Sequence, residues 1–253
     1  MTDLSQYKFL ALGLFLVFFL IAERLLPVAR PEKGNGRLFV NAGLWASVLP
    51  VSPLFVVPIS LWATGNPLWQ RPEWWSGWQG LLIDLLLLDL WIYWMHRAFH
   101  EVPFLWRFHE IHHRDETLDA SSAVRFHFGE VMISASVRLF LIFTFAIPFV
   151  SVIIFETIAA LSAIFQHSNV RMPKWLERPL SWIIVTPSIH WIHHHVTKED
   201  TNSNYCNIFS WWDLIFKTRS KTVRTPEMPV GLDYAGDLSL VKLWLQPFKK
   251  REG

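Results

Sequence analysis

A chain of 253 residues that is 52% hydrophobic, only 17% charged and nearly neutral at +2 is short of polar surface for a soluble domain, in which about a quarter of residues are charged. The net charge says little about nucleic acid, but no basic stripe is interleaved with aromatic residues, so no nucleic-acid partner is expected. The single Cys206 excludes an internal disulfide.

The first apolar stretch, residues 9–26, follows Asp3 and lacks a small-residue cleavage site behind it, so it reads as a retained helix and not a signal peptide. Stretches 38–63 and 79–96 come next. All three approach the roughly 20 residues of a full span, with Glu23, Arg24 and Arg97 able to snorkel at their ends. The loop between the second and third holds Trp69, Trp74, Trp75 and Trp78, the pattern of an aromatic belt at a membrane interface. Stretches 131–147 and 149–166 flank Pro148 and contain Arg138 and Glu156. A charge at mid-bilayer costs about 2.5–3.5 kcal/mol. The expectation is therefore a hairpin that turns at Pro148, penetrates only part of the bilayer and pairs Arg138 with Glu156 near the surface.

Arg24, Arg30, Lys33 and Arg37 make the first loop basic, whereas loop 64–78 holds only Arg71. The positive-inside rule places the first loop in the cytoplasm. Everything after His96 except the hairpin should then be cytoplasmic. The expected architecture is all-α: a polytopic membrane helical bundle with a cytoplasmic helical cap. No internal repeat, low-complexity tract or long linker is evident.

All eleven histidines lie at or beyond position 96. They fall as His96-x3-His100, His109-x2-His112-His113 and His190-x2-His193-His194-His195, with His127 and His167 standing alone between. Residues three or four apart share a helix face, so each cluster can aim its imidazoles at one point. At this His content two HxxHH motifs are expected by chance only about 2 × 10⁻⁴ times. His195 reads as solvent-facing. Imidazole suits zinc, copper, iron and nickel. A tetrahedral zinc is satisfied by about four ligands, so eight or nine converging histidines fit two ions better than one. Two other readings remain open. A metal transporter would place ligands near the bilayer midplane. A zinc hydrolase would need about three ligands and a general base.

From residue 80 to 220 the motifs run in a characteristic order. The His96 and His100 pair follows Asp89 and Tyr93; next come Leu105-Trp106-Arg107-Phe108-His109-Glu110-Ile111-His112-His113, Arg125-Phe126-His127 and Gln166-His167-Ser168-Asn169. Thr186-Pro187-Ser188-Ile189-His190-Trp191-Ile192-His193-His194, Asn204-Tyr205 and Trp212-Asp213 complete the series. On these motifs the chain resembles the fatty acid hydroxylase/sterol desaturase family of membrane oxygenases. The resemblance implies a non-haem di-iron centre on the cytoplasmic face, held by His96, His100, His109, His112, His113, His167, His190, His193 and His194, with His127 as a further candidate. It implies O2 as co-substrate and hydroxylation or desaturation of a lipid such as a sterol, fatty acyl chain or sphingolipid. The membrane would be a bacterial inner membrane or the endoplasmic reticulum. No GxGxxG occurs and the length leaves no room for a haem domain, so electrons should come from a cytochrome b5-like protein, a ferredoxin or a reductase. Domain organisation follows: N-terminal transmembrane helices over 1–78, the catalytic domain over 79–220 and a cytoplasmic tail over 221–253. Where the family usually has Pro this chain has Phe128, where it has Gly stand Cys206 and Lys217, and Asn202 replaces an Asp. Glu110 and Glu130 are candidates to orient ligating imidazoles, and Tyr93, one turn below His96, to line the substrate entrance. Asp89 lies about 10 Å deeper than His96 along a helix, too far to orient it directly.

Overall fold

The computed structural model describes residues 2–29 and 36–249; Arg30 and Lys33 of the basic first loop lie outside them. The described residues contain helices and isolated bridges but no strand. Long helices form the bundle: α1 (Thr2–Leu25), α2 (Gly36–Val48) continuing through a π-helical turn (Ser52–Val56) into α3 (Val57–Gly65), α4 (Gly77–Glu101), α6 (Phe128–Phe145) and α7 (Phe149–His167). Pro50, Pro53 and Pro58 account for the π turn, because each removes an amide donor from the helical ladder. Four helical segments among the described residues are long and apolar enough to cross a membrane: Gly36–Gly65, Gly77–Glu101, Phe128–Phe145 and Phe149–His167. The protein is a multi-pass membrane protein.

The bundle centre is a cluster of Leu88, Ile142, Ile147, Val152 and Phe155 from α4, α6, α7 and the α6–α7 turn. Within lipid such contacts hold helices together by close packing, since hydrocarbon tails are as apolar as the side chains. Large apolar side chains face outward along the helices, including Leu14, Phe18, Phe39, Leu54 and Phe140. Exposed Trp69, Trp74 and Trp78 ring one end, and exposed Trp175 and Trp182 the other, as membrane-interface aromatics do.

The α6–α7 hairpin turns where expected, with Ala146 left-handed at φ 48° and Pro148 opening α7. It does not stop halfway. Trp69 Nε1 donates to Thr144 O at 2.8 Å, and Arg71 donates to Ala146 O at 3.4 Å. Arg71 also grips Asp84 in α4 at 2.7 Å, and Asp84 accepts from Ser151 Oγ at 2.7 Å. The turn thus meets the loop that precedes α4, about 30 Å along that helix from His96 at 1.5 Å per residue. The expectation of partial penetration assumed that Arg138 and Glu156 need water. They pair within the protein at 2.6 Å, with side chains only 7% and 17% exposed, so no retreat to the surface is required. A cysteine placed at Pro148 should accordingly be labelled from the membrane face that carries Trp74, opposite the histidines. Labelling from the histidine face would restore the shallow hairpin.

At the other end lie the shorter elements: α5 (Pro103–His113), a 3-10 turn (Ala120–Val124), α8 (Lys174–Leu180), α9 (Pro187–His193), α10 (Lys198–Thr201), α11 (Trp211–Ile215) and α12 (Leu240–Leu245). Val102 explains why α4 stops at Glu101. It precedes Pro103 and is extended at φ −95°, ψ 115°, the conformation a following proline imposes. Pro103 then occupies the first turn of α5, where its missing amide costs nothing. Thr186 and Pro187 start α9 in the same way, with Thr186 extended at φ −101°, ψ 164°.

Candidate metal centre

These helix boundaries bring the histidine clusters together. His96 and His100 end α4, His109, His112 and His113 lie on one face of α5, His167 closes α7, and α9 supplies His190 and His193 with His194 as its C-cap. Nine imidazoles form two groups. His96, His100, His109, His113 and His193 make one, His112, His167, His190 and His194 the other, and within each group the nitrogens lie within 4.8 Å of one another. All are buried except His96, which is half-buried.

The surroundings fix which ring nitrogen is bare. His96 Nδ1 faces Tyr205 O at 2.8 Å, His193 Nδ1 faces Ser203 O at 2.6 Å, His167 Nδ1 faces Ala163 O at 2.6 Å and His112 Nδ1 faces Arg125 O at 3.3 Å. His109 Nδ1 faces the carboxylate of Glu130 at 2.8 Å. A carbonyl or carboxylate oxygen only accepts, so each of these Nδ1 atoms carries the proton and each Nε2 presents a lone pair inward. Those lone pairs then face one another, His96 against His109 and His193 at 3.1 Å and His112 against His167 at 3.0 Å. Acceptor facing acceptor at this distance is unfavourable without a cation between. Neighbouring nitrogens about 3 Å apart are also what a metal–nitrogen length of about 2.0–2.1 Å requires. His100 and His113 have both ring nitrogens buried without a hydrogen-bond partner, and His190 and His194 have Nδ1 so, which a metal would resolve on the inward side. Burial and neighbouring imidazoles hold His112, His113, His190 and His194 well below the usual imidazole range. Burial takes His193 down to about 3. Neutral imidazole is the ligating form, so the residues present fit metal ions.

Two of the eleven histidines stay out of both groups. His127 N-caps α6: Nδ1 accepts from Gly129 N at 3.0 Å, while Nε2–H donates to Trp244 O at 3.1 Å. Both nitrogens are engaged, so this further ligand candidate is placed as a cap. His195 is half-buried and not simply solvent-facing, with Nδ1 2.8 Å from Asp200. Alanine at His127 should cost about 1 kcal/mol, the value of a lost cap, and alanine at His195 less; metal content should be unchanged in both. Loss of metal from either variant, measured by elemental analysis against protein concentration, would make that residue a ligand.

Of the two acids expected to orient imidazoles, Glu130 faces His109 Nδ1. Glu110 instead accepts from Arg114 Nε at 3.0 Å. Tyr93 does not line an entrance; it is fully buried, stacked on Phe216, with its hydroxyl 2.9 Å from Thr218 Oγ1. Asp89 acts at a distance. Its carboxylate accepts from Ile208 N, Phe209 N and Trp212 Nε1 at 3.1, 3.2 and 2.8 Å. Asp213 accepts from Tyr205 N at 2.9 Å and Cys206 N at 3.2 Å. Two buried acids therefore clamp the segment 203–213, whose carbonyls at Ser203 and Tyr205 orient His193 and His96. Asn204 between them is left-handed at φ 52°, a conformation Asn tolerates, and this turns adjacent carbonyls toward different imidazoles. Lys217 is also left-handed at φ 58°, which accounts for the glycine usual there.

Beneath the nitrogens lies a cavity of about 240 Å³ lined by Met95, Phe99, Val131 and Ala135 together with His96, His109, His112 and His190. A second, more apolar cavity of about 430 Å³ runs between α1, α2 and α7, and Ile92, Phe126, Ala163 and Asn207 line both. The clustered imidazole nitrogens therefore open toward the membrane-embedded part of the bundle.

A family model described as fatty acid hydroxylase matches residues 81–218. The chain is 25% identical to an ornithine lipid hydroxylase of Rhizobium tropici, over 71% of this chain and 54% of that protein. It is 29% identical to an alkylglycerol monooxygenase of Xenopus tropicalis, over 59% and 31%. It is 30% identical to a C-4 methylsterol oxidase of Schizosaccharomyces pombe, over 56% and 47%. The chain thus spans about half or less of the length of these curated relatives. No solved structure matches it.

Proposed function

Because the chain belongs to the fatty acid hydroxylase family, we propose that it is an O2-dependent oxidoreductase that hydroxylates or desaturates a membrane lipid at a pair of irons. One observation carries this reading: nine histidines gather in two groups at the mouth of a cavity that leads into the membrane-embedded bundle. His96, His100, His109, His113 and His193 would hold one iron, and His112, His167, His190 and His194 the other. Bound there, iron with O2 supplies the oxidising power needed to break an unactivated C–H bond. The chain's own residues do the rest. Glu130 and the carbonyls of Ala163, Ser203 and Tyr205 hold the imidazoles in their inward-facing tautomer, which fixes each ligand's direction. Met95 and Phe99 line the cavity and keep water from the reacting carbon. Ile92 and Ala163, shared by the two cavities, guide the hydrocarbon from the bilayer toward the nitrogens.

The basic first loop supports a cytoplasmic histidine end, where an external donor, such as a cytochrome b5-like protein, a ferredoxin or a reductase, would deliver electrons. Residues 79–220 form the catalytic domain in this reading, after the helices of 1–78 and before a tail over 221–253. A transporter is disfavoured because the histidines cluster beyond or at the ends of the spans, not at their midpoints. A zinc hydrolase is disfavoured by the number of converging imidazoles. Elemental analysis of the iron-loaded protein, combined with lipid profiling of a deletion strain, tests the proposal. About two irons per chain and a missing hydroxylated or unsaturated lipid are expected. One ion per chain in a fully loaded sample, with an unaltered lipid profile, would overturn it.

A further inference from the structure

A pair of oxidisable rings joins the five-histidine group to water. Trp106, half-buried on α5, packs its indole against His100, His113 and His109, with ring centres 5.0, 5.5 and 6.2 Å apart. Its Nε1–H donates to the Tyr234 hydroxyl at 3.0 Å. Tyr234 is 62% exposed and lies beyond residues 81–218, which the family model matches. A polar cavity of about 650 Å³ is lined by His100, Glu101, Trp106, Asn202 and Tyr234, large enough for water and a small solute beside both rings. The four-histidine group has no counterpart. Among the described residues, the one non-histidine ring packed on its imidazoles is Phe126, 4.9 Å from His112, and a phenyl ring resists one-electron oxidation.

The chemistry proposed for the irons gives such a pair a use. When O2 is activated with no lipid in place, the oxidising equivalent has no substrate carbon to attack. Met95 lines the cavity beneath the imidazoles, and its thioether is readily oxidised to the sulfoxide. Trp106 is an alternative source of the electron, because an indole yields one without first losing a proton. Tyr234 then restores the indole: its O–H bond breaks, the electron passes to Trp106 and the proton to water in the polar cavity. The bond from Trp106 uses the phenol oxygen as acceptor and not its hydrogen. A small-molecule thiol closes the cycle by giving a hydrogen atom to the phenoxyl oxygen and leaving as a thiyl radical.

A second aromatic route lacks this order. Tyr205, 5.3 Å from His100, leads through Tyr93 at 6.2 Å to Trp94 at a further 5.5 Å. Its first two members are phenols only 1% and 0% exposed, placed where water cannot take the proton each must lose. The Trp106 route has the indole inside and the phenol in water.

Building on the function proposed above, we infer that Trp106 and Tyr234 form a one-electron relay that discharges the five-histidine site to the water-facing surface when no lipid fills the cavity. The relay protects the interior and takes no part in lipid oxidation itself.

Electron paramagnetic resonance and peptide mass spectrometry test this without relying on turnover. Iron-loaded protein in detergent, free of lipid and reduced with dithionite, is mixed with O2 and freeze-quenched. The wild type should show a tyrosyl radical, identified by ring-deuterated tyrosine, whose lifetime glutathione shortens at least about tenfold. Tyr234→Phe should replace that signal with an indole radical, and Trp106→Phe should show neither. In both variants sulfoxide at Met95 should rise at least about fivefold at unchanged iron content. Should Trp106→Phe lose iron, Tyr234→Phe, altered only at the exposed ring, decides alone. Trp94→Phe interrupts the rival route and should change nothing. A tyrosyl radical that survives in Tyr234→Phe, or Met95 oxidation equal in the wild type and Tyr234→Phe, overturns the inference. An iron-loaded, O2-consuming protein without the radical refutes only the relay; a protein that binds no iron or consumes no O2 refutes the function and the relay together.

Discussion

Alanine at any of the nine clustered histidines is expected to lower lipid oxidation by at least about a hundredfold with the protein still inserted in the membrane. Removing an outer partner of a ligand already costs about 10–100-fold in affinity or activity, and removing the ligand itself costs more. The two groups make the expectation sharper. His109 and His193 belong to the five-histidine group and His167 and His194 to the four-histidine group. His109→Ala and His193→Ala should therefore release mainly one ion, and His167→Ala and His194→Ala mainly the other. Each would leave nearer one metal per chain than two. Turnover should vanish in all four, because the proposed chemistry needs the pair. Elemental analysis of each variant, set beside the amount of protein in the membrane fraction, checks this. Full metal content with normal turnover in His193→Ala would remove α9 from the centre.

Much of this arrangement was legible in the sequence, for a physical reason. Histidines spaced three and four residues apart must share a helix face, so the clusters announced convergence before any fold was known. The apolar stretches marked the bundle because length and hydropathy alone decide what can cross a bilayer. Arg138 and Glu156 could be paired from their symmetric placement about Pro148. Their depth was misjudged, because a pair satisfied inside the protein escapes the cost of an isolated charge, and sequence spacing cannot tell these cases apart. His127 shows the converse limit. It lies among the motifs, yet Trp244, more than a hundred residues later, takes its Nε2–H. The carbonyls of Ser203 and Tyr205 were illegible, since every residue has a carbonyl and only the fold aims it. The one available signal was Asp213, an acid in an aromatic segment beside Trp212.

Asp213 carries the other large expected effect. It is 1% exposed, and its two oxygens hold Tyr205 N, Cys206 N and Thr218 Oγ1 at 2.9, 3.2 and 2.7 Å. Thr218 in turn lies against the Tyr93 hydroxyl of α4 at 2.9 Å. Alanine here leaves two buried amides unpaired, at about 1–3 kcal/mol each, and frees the segment whose carbonyls orient His96 and His193. Affinity for the ion in the five-histidine group should fall by about 10–100-fold. The four-histidine group takes its orienting carbonyls from Arg125 and Ala163, outside that segment, and should be nearly unaffected. Asp213→Asn keeps the volume and one accepting oxygen, so it should fall between the wild type and alanine. Chelator competition followed by metal counting separates the two sites: the wild type should release its ions close together, and Asp213→Ala in two distinct steps. Parallel loss of both ions at the temperature where the variant unfolds would make Asp213 a fold-stabilising residue only. An unchanged release profile would show that the 203–213 segment does not set the direction of His96 and His193.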